Sequence, residues 1–229
     1  MALLSESDAN EVRKIFGSLE RDVEIRAYTQ RLECPTCQDT EMILRELDGL
    51  SDRIRLTILN FQTDREAAGK DGVERVPAIV VSDGTHSRVK FYGTPSGYEF
   101  SSLLTVIVDA GGSGKTLSEE TLEFLDGLDK DLSLQVFVTP ACPHCPSSAV
   151  LASRMALHSD RITSEVIEAN EFQELSRRFR VQGVPRTVVN GQYYAEGALP
   201  EYMMVEALSR GLEEGPEGEK DLMDYIRTS

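Results

Sequence analysis

Two Cys-x-x-Cys motifs, "CPTC" from Cys34 and "CPHC" from Cys142, stand 108 positions apart, and each is followed by a Val-Pro pair, Val76-Pro77 and Val184-Pro185. The interval from Cys34 to Pro77 is 43 positions, and so is the interval from Cys142 to Pro185. A chain that repeats such a spacing has been duplicated, so whatever fold joins a CxxC to a distant Val-Pro occurs twice. At 229 residues the chain divides into two modest units of roughly 100 residues, each able to bury its own core.

The periodicities agree with this division. Each half opens with a helical stripe: Val12, Ile15, Phe16 and Leu19 behind the capping candidates Ser5 and Ser7, then Leu122, Leu125 and Leu128 behind Ser118. A strand follows ("VEIRAYT", "LSLQVFVT"), then the cysteine motif, a helix, a second strand ("IRLTILNF", "ITSEVIEAN"), a polar helix and Val-Pro. Beyond the proline, "SDG" and "NG" are turn signals between β-branched runs, which reads as a hairpin. A last helix closes each unit. Tyr193 and Tyr194 are expected to alternate across the second hairpin. The fold class is α/β, with two tandem units, each a mixed central sheet flanked by helices. Residues 1–110 form the first unit, 111–117 a linker, 118–213 the second unit and 214–229 an acidic, mostly solvated tail in which Leu222, Met223, Tyr225 and Ile226 are candidates for a last docked turn. "DAGGSGKT" in the linker resembles a phosphate-binding loop, but the position that must be glycine is Asp109, whose carboxylate would face the phosphates.

Charge and cysteine usage narrow the chemistry. A net charge of −15 argues against a nucleic-acid surface, since phosphates are repelled at long range. The start of the chain lacks the basic and apolar regions of a secretory signal, and no apolar run approaches the length of a membrane span. The expected address is therefore the cytoplasm, with no membrane partner. All four cysteines lie in the two motifs, which in a reducing compartment means redox chemistry or metal binding. Metal is disfavoured: paired CxxC knuckles of a zinc ribbon lie about 15–20 residues apart, and a proline inside each pair suits a helix start.

Two cysteines separated by two residues at a helix start close a small disulfide ring, and the helix N-terminus favours the thiolate of the first. Cys34 and Cys142 are thus the candidate nucleophiles, and Cys37 and Cys145, deeper in the helix, the resolving cysteines. Pro35 and Pro143 fit a first helical turn. The other intervening residues, Thr36 and His144, set how oxidising each pair is. Known pairs span about −270 to −120 mV, a range of roughly 7 kcal/mol that reverses the direction of exchange. His144 beside the nucleophile favours its thiolate, so the second site is expected to be the more oxidising. His86 and His158 read as solvated surface residues.

With these features in place, the chain resembles the thioredoxin superfamily in both halves. It is most similar to the glutaredoxin-like protein disulfide oxidoreductases of thermophilic archaea and bacteria, single chains of two thioredoxin-fold units. "VFVTPACPHCPSSAV", "FYGTPSGYEF" and "VPRTVVNG" carry the resemblance. It implies that Pro77 and Pro185 are cis and face the disulfides, and that the backbone of Val76 and Val184 pairs with an extended substrate chain. The buried acid that thioredoxins carry in the strand before the motif is absent here, where Arg26 and Val136 stand. Glu168, matched by Asn60 in the first half, is the candidate substitute. No Gly-Gly-x-Asp turn follows either Val-Pro, so direct dependence on glutathione is not expected. The resemblance implies disulfide reduction, oxidation and isomerisation on protein substrates without a cofactor. Two alternatives are an electron carrier between a flavin thioredoxin reductase and a peroxidase-type client, and a non-catalytic chaperone module that binds clients.

Overall fold

The computed structural model describes residues 4–85, 87–214 and 220–221. Its chain folds into two compact units, Met1–Ser96 with Leu103–Lys115, and Gly97–Ser102 with Thr116–Ser229. In the first unit the order is α1 (Glu6–Phe16), β1 (Val23–Thr29), α2 (Cys37–Asp48), β2 (Ile54–Asn60), α3 (Arg65–Lys70), β3 (Ala78–Ser82) and β4 (Val89–Tyr92). Helix α4 (Tyr98–Ala110) begins among residues of the second unit and ends among those of the first. The second unit continues with α5 (Glu119–Asp126), β5 (Leu132–Val138), α6 (Cys145–His158), β6 (Ile162–Glu168), α7 (Gln173–Arg178), β7 (Arg186–Val189), β8 (Tyr193–Glu196), α8 (Glu201–Glu214) and β9 (Lys220–Asp221).

Within each unit the sheet is mixed. β1 runs parallel to β2 and antiparallel to β3, which pairs antiparallel with β4. β5, β6, β7 and β8 repeat this arrangement. The centre of each sheet is buried on both faces, and the sequence shows it as continuous β-branched runs: every residue of "AIVVS" in β3 and "RTVV" in β7 is buried. Local signals set the ends. Ser5 caps α1 by accepting the Asp8 N–H, with Glu6 and Asp8 in the first turn and Arg13 and Lys14 in the last. Ser118 caps α5 in the same way through Thr121. The β7–β8 turn places Asn190 and Gly191 both at positive φ, the conformation for which Asn-Gly is selected in a two-residue hairpin.

Three expectations change. Both active-site helices begin at the second cysteine, so Pro35 and Pro143 lie in the turn before the helix and not in its first turn; in the second helix Pro146 stands in that first turn instead. The stretch taken as a linker is tied down: the Gly111 carbonyl accepts the N–H groups of Glu20 and Arg21, and Leu117 is buried. In the acidic tail, Lys220–Asp221 pairs parallel with Tyr193–Tyr194, whereas Leu222, Met223, Tyr225 and Ile226, like His86, lie outside the described residues. Among the described residues no helix is long and apolar enough to cross a membrane.

Candidate active site: two disulfides and their surroundings

Each CxxC pair is closed as a disulfide, Cys34–Cys37 and Cys142–Cys145. The first cysteine of each pair precedes a helix and the second opens it, so both sulfurs sit where backbone N–H groups point outward. Cys37 and Cys145 are 3% and 1% exposed; Cys142 is 8% exposed, while Cys34 is only half-buried. The Val76–Pro77 and Val184–Pro185 bonds are both cis. The Cys142 Sγ lies 3.6 Å from the Val184 carbonyl oxygen, close enough for the reduced thiol to donate to it.

In the first unit β1 ends at Thr29, and a loop leads to Glu33, whose φ of 56° places a non-glycine residue in the left-handed region beside Cys34. The Gln30 N–H points at the Cys37 Sγ at 3.3 Å. Thr36 holds its turn through its carbonyl, which accepts the Thr40 hydroxyl at 3.0 Å and the Thr94 hydroxyl at 3.4 Å. On the α3 side of the sheet, Arg26 forks onto Asp71 with bonds of 2.7 and 2.9 Å, and the Tyr28 hydroxyl donates to the same carboxylate at 2.6 Å. Burial and the bond to Asp71 push the Tyr28 phenol well up. Arg26, expected only as the residue that replaces a buried acid, is thus one half of a partly buried ion pair. A cavity of about 940 Å³ opens beside Cys34 toward β2.

The second unit fills the corresponding place. The first turn of α4 lies there: the Tyr98 N–H donates to the Pro140 carbonyl at 3.0 Å. Gly97, at a φ of +55°, sits so close that a Cβ would collide with that carbonyl. Glu99 is 4% exposed, and its Oε1 has no hydrogen-bond partner among the described residues. Burial, with the charges of Glu168 and Glu171, raises its carboxyl to about 9, so it keeps its proton at neutral pH. Glu168 is not a surface residue: it is buried and accepts the N–H groups of Asn170 and Glu171 at 3.1 and 2.5 Å. Burial raises its carboxyl as well, against those two bonds. Asn60 closes the matching turn in the first unit by accepting from Gln62 and Thr63. Glu99 escaped the sequence reading because an acid in a first helical turn is ordinary; only tertiary packing buries it.

Around the disulfides, Thr36 and His144 occupy N-cap positions without a side-chain cap bond. Among the described residues no group of three His, Cys, Asp or Glu side chains is arranged to hold a metal. His158 pairs with Asp126 at 3.1 Å, far along α6 from the disulfide. Tyr193 is buried, and Tyr194 carries the Arg186 guanidinium 3.7 Å over its ring.

Residues 132–209 match the Thioredoxin domain family. The protein disulfide oxidoreductase of Aeropyrum pernix K1 superposes with a TM-score of 0.86 at 25% identity, over 94% of this chain and 96% of that one. The alkylhydroperoxide reductase AhpF of Enterococcus faecalis (V583) gives 0.83 at 25%, over 90% and 99%. The corresponding alkyl hydroperoxide reductase protein of Escherichia coli K12 is 24% identical over 201 residues, 83% of this chain but 37% of that protein. The chain therefore spans about a third of the length of this relative. With two thioredoxin-like units, each carrying a CxxC pair at a helix start and a cis proline, the chain is similar in fold and cysteine arrangement to the thioredoxin-like disulfide oxidoreductases.

Proposed function

We propose that the chain exchanges disulfides with protein substrates at both CxxC pairs, using no cofactor, in a reducing compartment such as the cytoplasm. The observation that carries this reading is the repeated arrangement: a more accessible first cysteine, a buried second cysteine at a helix start, and a cis Val-Pro bond in each unit, the second of which sets the Val184 carbonyl 3.6 Å from the Cys142 sulfur. In the reducing direction, the thiolate of Cys34 or Cys142 attacks a client sulfur. The client disulfide breaks, one client thiolate leaves, and a mixed disulfide forms. The thiolate of Cys37 or Cys145 then displaces the client, closing the ring and delivering two electrons to the substrate. Oxidation is the reverse, and isomerisation is attack followed by release to a different client thiol. Val76 and Val184 supply the backbone edge that holds the client. At the second site, Glu99 at about 9 lies close to the ordinary thiol value of about 8.5. That match suits it to hold a proton for exchange at this site, with Glu168 beside it as the second carboxyl. Pro35, Thr36, Pro143 and His144 tune the two potentials, with His144 making the second pair the more oxidising.

Reduction of insulin disulfides tests the reading. Cys34→Ser and Cys142→Ser should each leave the activity of the other site, and the double variant should fall to the uncatalysed rate. A double variant that still reduces insulin would sink it. Refolding of scrambled ribonuclease by the same variants separates isomerisation from simple reduction.

A second reading is favoured by the likeness to the alkyl hydroperoxide reductase AhpF. Here the chain carries electrons from a flavin thioredoxin reductase-like partner to a peroxidase-type client. Rapid reduction by such a flavoenzyme with no ribonuclease refolding would select it.

A further inference from the structure

The two units differ in what covers the end of the sheet beside their cysteines. In the second unit Val166 and Ile167 of β6 are 1% and 0% exposed, and the turn Gly97–Ser102 lies over that end, hydrogen-bonded to Pro140, two residues past the end of β5. In the first unit the matching residues of β2, Ile58 and Leu59, are only half-buried. With Met42 they line the cavity of about 940 Å³ that also exposes Cys34. The matching backbone position is Arg31, two residues past the end of β1, for Phe61 N–H meets Thr29 just as Ala169 N–H meets Val138. Among the described residues nothing donates to the Arg31 carbonyl, and its guanidinium pairs with no acid.

The acids in the cavity wall are already engaged. Glu41 takes two bonds from Arg45 at 2.9 and 2.7 Å, and Asp64 takes the Asn60 N–H at 2.7 Å. The groove thus offers an apolar floor, an unused carbonyl and one unpaired cation beside a reactive sulfur. Its size suits a few residues of polypeptide, and the thing that occupies the same place in the second unit is a polypeptide turn with an aromatic and an acidic residue, Tyr98 and Glu99.

We propose that this groove seats a polypeptide segment of the first site's redox partner, one that flanks the partner's cysteine with apolar residues and an acid. The apolar side chains cover Met42, Ile58 and Leu59, a backbone N–H meets the Arg31 carbonyl, and the acid meets the Arg31 guanidinium. The inference rests on the reading of Cys34–Cys37 as an exchanging pair. The Cys34 thiolate attacks the partner's disulfide and expels one half as a thiolate. Cys37 then closes the ring and releases the other half, so two electrons leave the dithiol and both partner sulfurs leave as thiols.

The full chain carrying Cys142→Ser and Cys145→Ser isolates the first pair for a test. Its reduced form is mixed with three synthetic peptide disulfides, in which the cysteine is flanked by Leu-Tyr-Glu, by Leu-Tyr-Lys or by Gly-Ser-Gly, and with cystine as a small probe. The Leu-Tyr-Glu peptide should react about tenfold faster than the Gly-Ser-Gly peptide and about threefold faster than the Leu-Tyr-Lys peptide. Arg31→Glu should reverse the order of the Glu and Lys peptides, and Arg31→Lys should restore it. Ile58→Lys should bring the ratio of Leu-Tyr-Glu to cystine down to that of Gly-Ser-Gly. Equal rates for the three peptides, an order indifferent to Arg31→Glu, or cystine saturating below every peptide would overturn the inference alone. A chain inert to cystine as well would remove the redox reading of the first site and this inference with it.

Discussion

The two redox sites share a backbone frame and differ in nearly everything that touches it. Ala78 and Tyr28 are register partners in the first unit, as Arg186 and Phe137 are in the second. On the α3 side of the first sheet, Tyr28 donates to Asp71, the residue that ends α3, and Asp71 holds Arg26. On the α7 side of the second, Phe137 packs 5.7 Å from Phe179, the residue that ends α7, and Arg186 reaches Glu196 at 2.6 Å. One frame has been braced once by a partly buried ion pair and once by an aromatic pair. The duplication preserved what the chemistry needs, the cysteines, helix starts and cis prolines, and left the supporting shell free to change.

The largest break in this comparison should come from the ionic brace. Asp71→Ala leaves the Arg26 guanidinium and the Tyr28 hydroxyl without their acceptor. Removing one partner of a buried pair costs about 3–5 kcal/mol, and the 20% exposure of the Arg26 side chain puts the expected loss near the lower end. Asp71→Asn keeps an acceptor for Tyr28 and should cost about 1 kcal/mol. Urea unfolding of both variants measures this. A loss under about 1 kcal/mol for Asp71→Ala would mean the pair merely offsets its own desolvation.

The second contrast is electrostatic, since among the described residues a buried protonated acid accompanies the second site and not the first. Burial lifts Glu99 from 4.5 in the unfolded chain to about 9 in the fold. Below pH 4.5 both states hold the proton and the native state bears no penalty. As pH rises from there toward 9 the unfolded chain releases a proton that the native chain retains, so stability falls by at most about 1.4 kcal/mol per pH unit. Glu99→Gln removes the dependence: variant and parent should be equally stable near pH 4, and the variant about 3 kcal/mol the more stable at pH 7. The same variant should slow exchange at Cys142–Cys145 and leave Cys34–Cys37 unchanged. Identical stability-against-pH curves for the two proteins would show that Glu99 ionises as an exposed acid does.

How far the sequence foretold this follows from which interactions are local in register. The repeat of CxxC and Val-Pro marked both cysteine pairs, because spacing is inherited with the backbone, and the family resemblance implied the two cis bonds. Strand order and hairpins were legible from periodicity and from "NG" at Asn190–Gly191. The braces were not: Arg26 and Asp71 are 45 residues apart, and no local pattern distinguishes Asp71 from any acid at the end of a helix. Glu99 was hidden for the same reason, and Glu168 was legible only as an acid at the end of an alternating strand. Pro35 and Pro143 misled because proline suits a turn before a helix as well as a first helical turn.

The smallest difference concerns hydroxyls at the cysteine loops. Thr40, three residues into the helix after Cys37, shares a 3.0 Å bond with Thr94, and both reach the Thr36 carbonyl. Ser148 stands three residues after Cys145, and its buried hydroxyl has no partner among the described residues. The residue matching Thr94 is Ala198, since Gly93 and Gly197 each donate to the carbonyl of their cis proline. Thr94→Val should cost about 1 kcal/mol by leaving Thr40 with one bond fewer, and should speed amide hydrogen exchange in the Cys34–Cys37 loop alone. Ala198→Thr offers Ser148 the partner it lacks, so protection in the Cys142–Cys145 loop should rise toward that of the first. If Thr94→Val leaves exchange in its loop unchanged, the hydroxyl pair is a passenger, and what rigidity the first loop has comes from its backbone bonds, the Gln30 N–H to the buried sulfur among them.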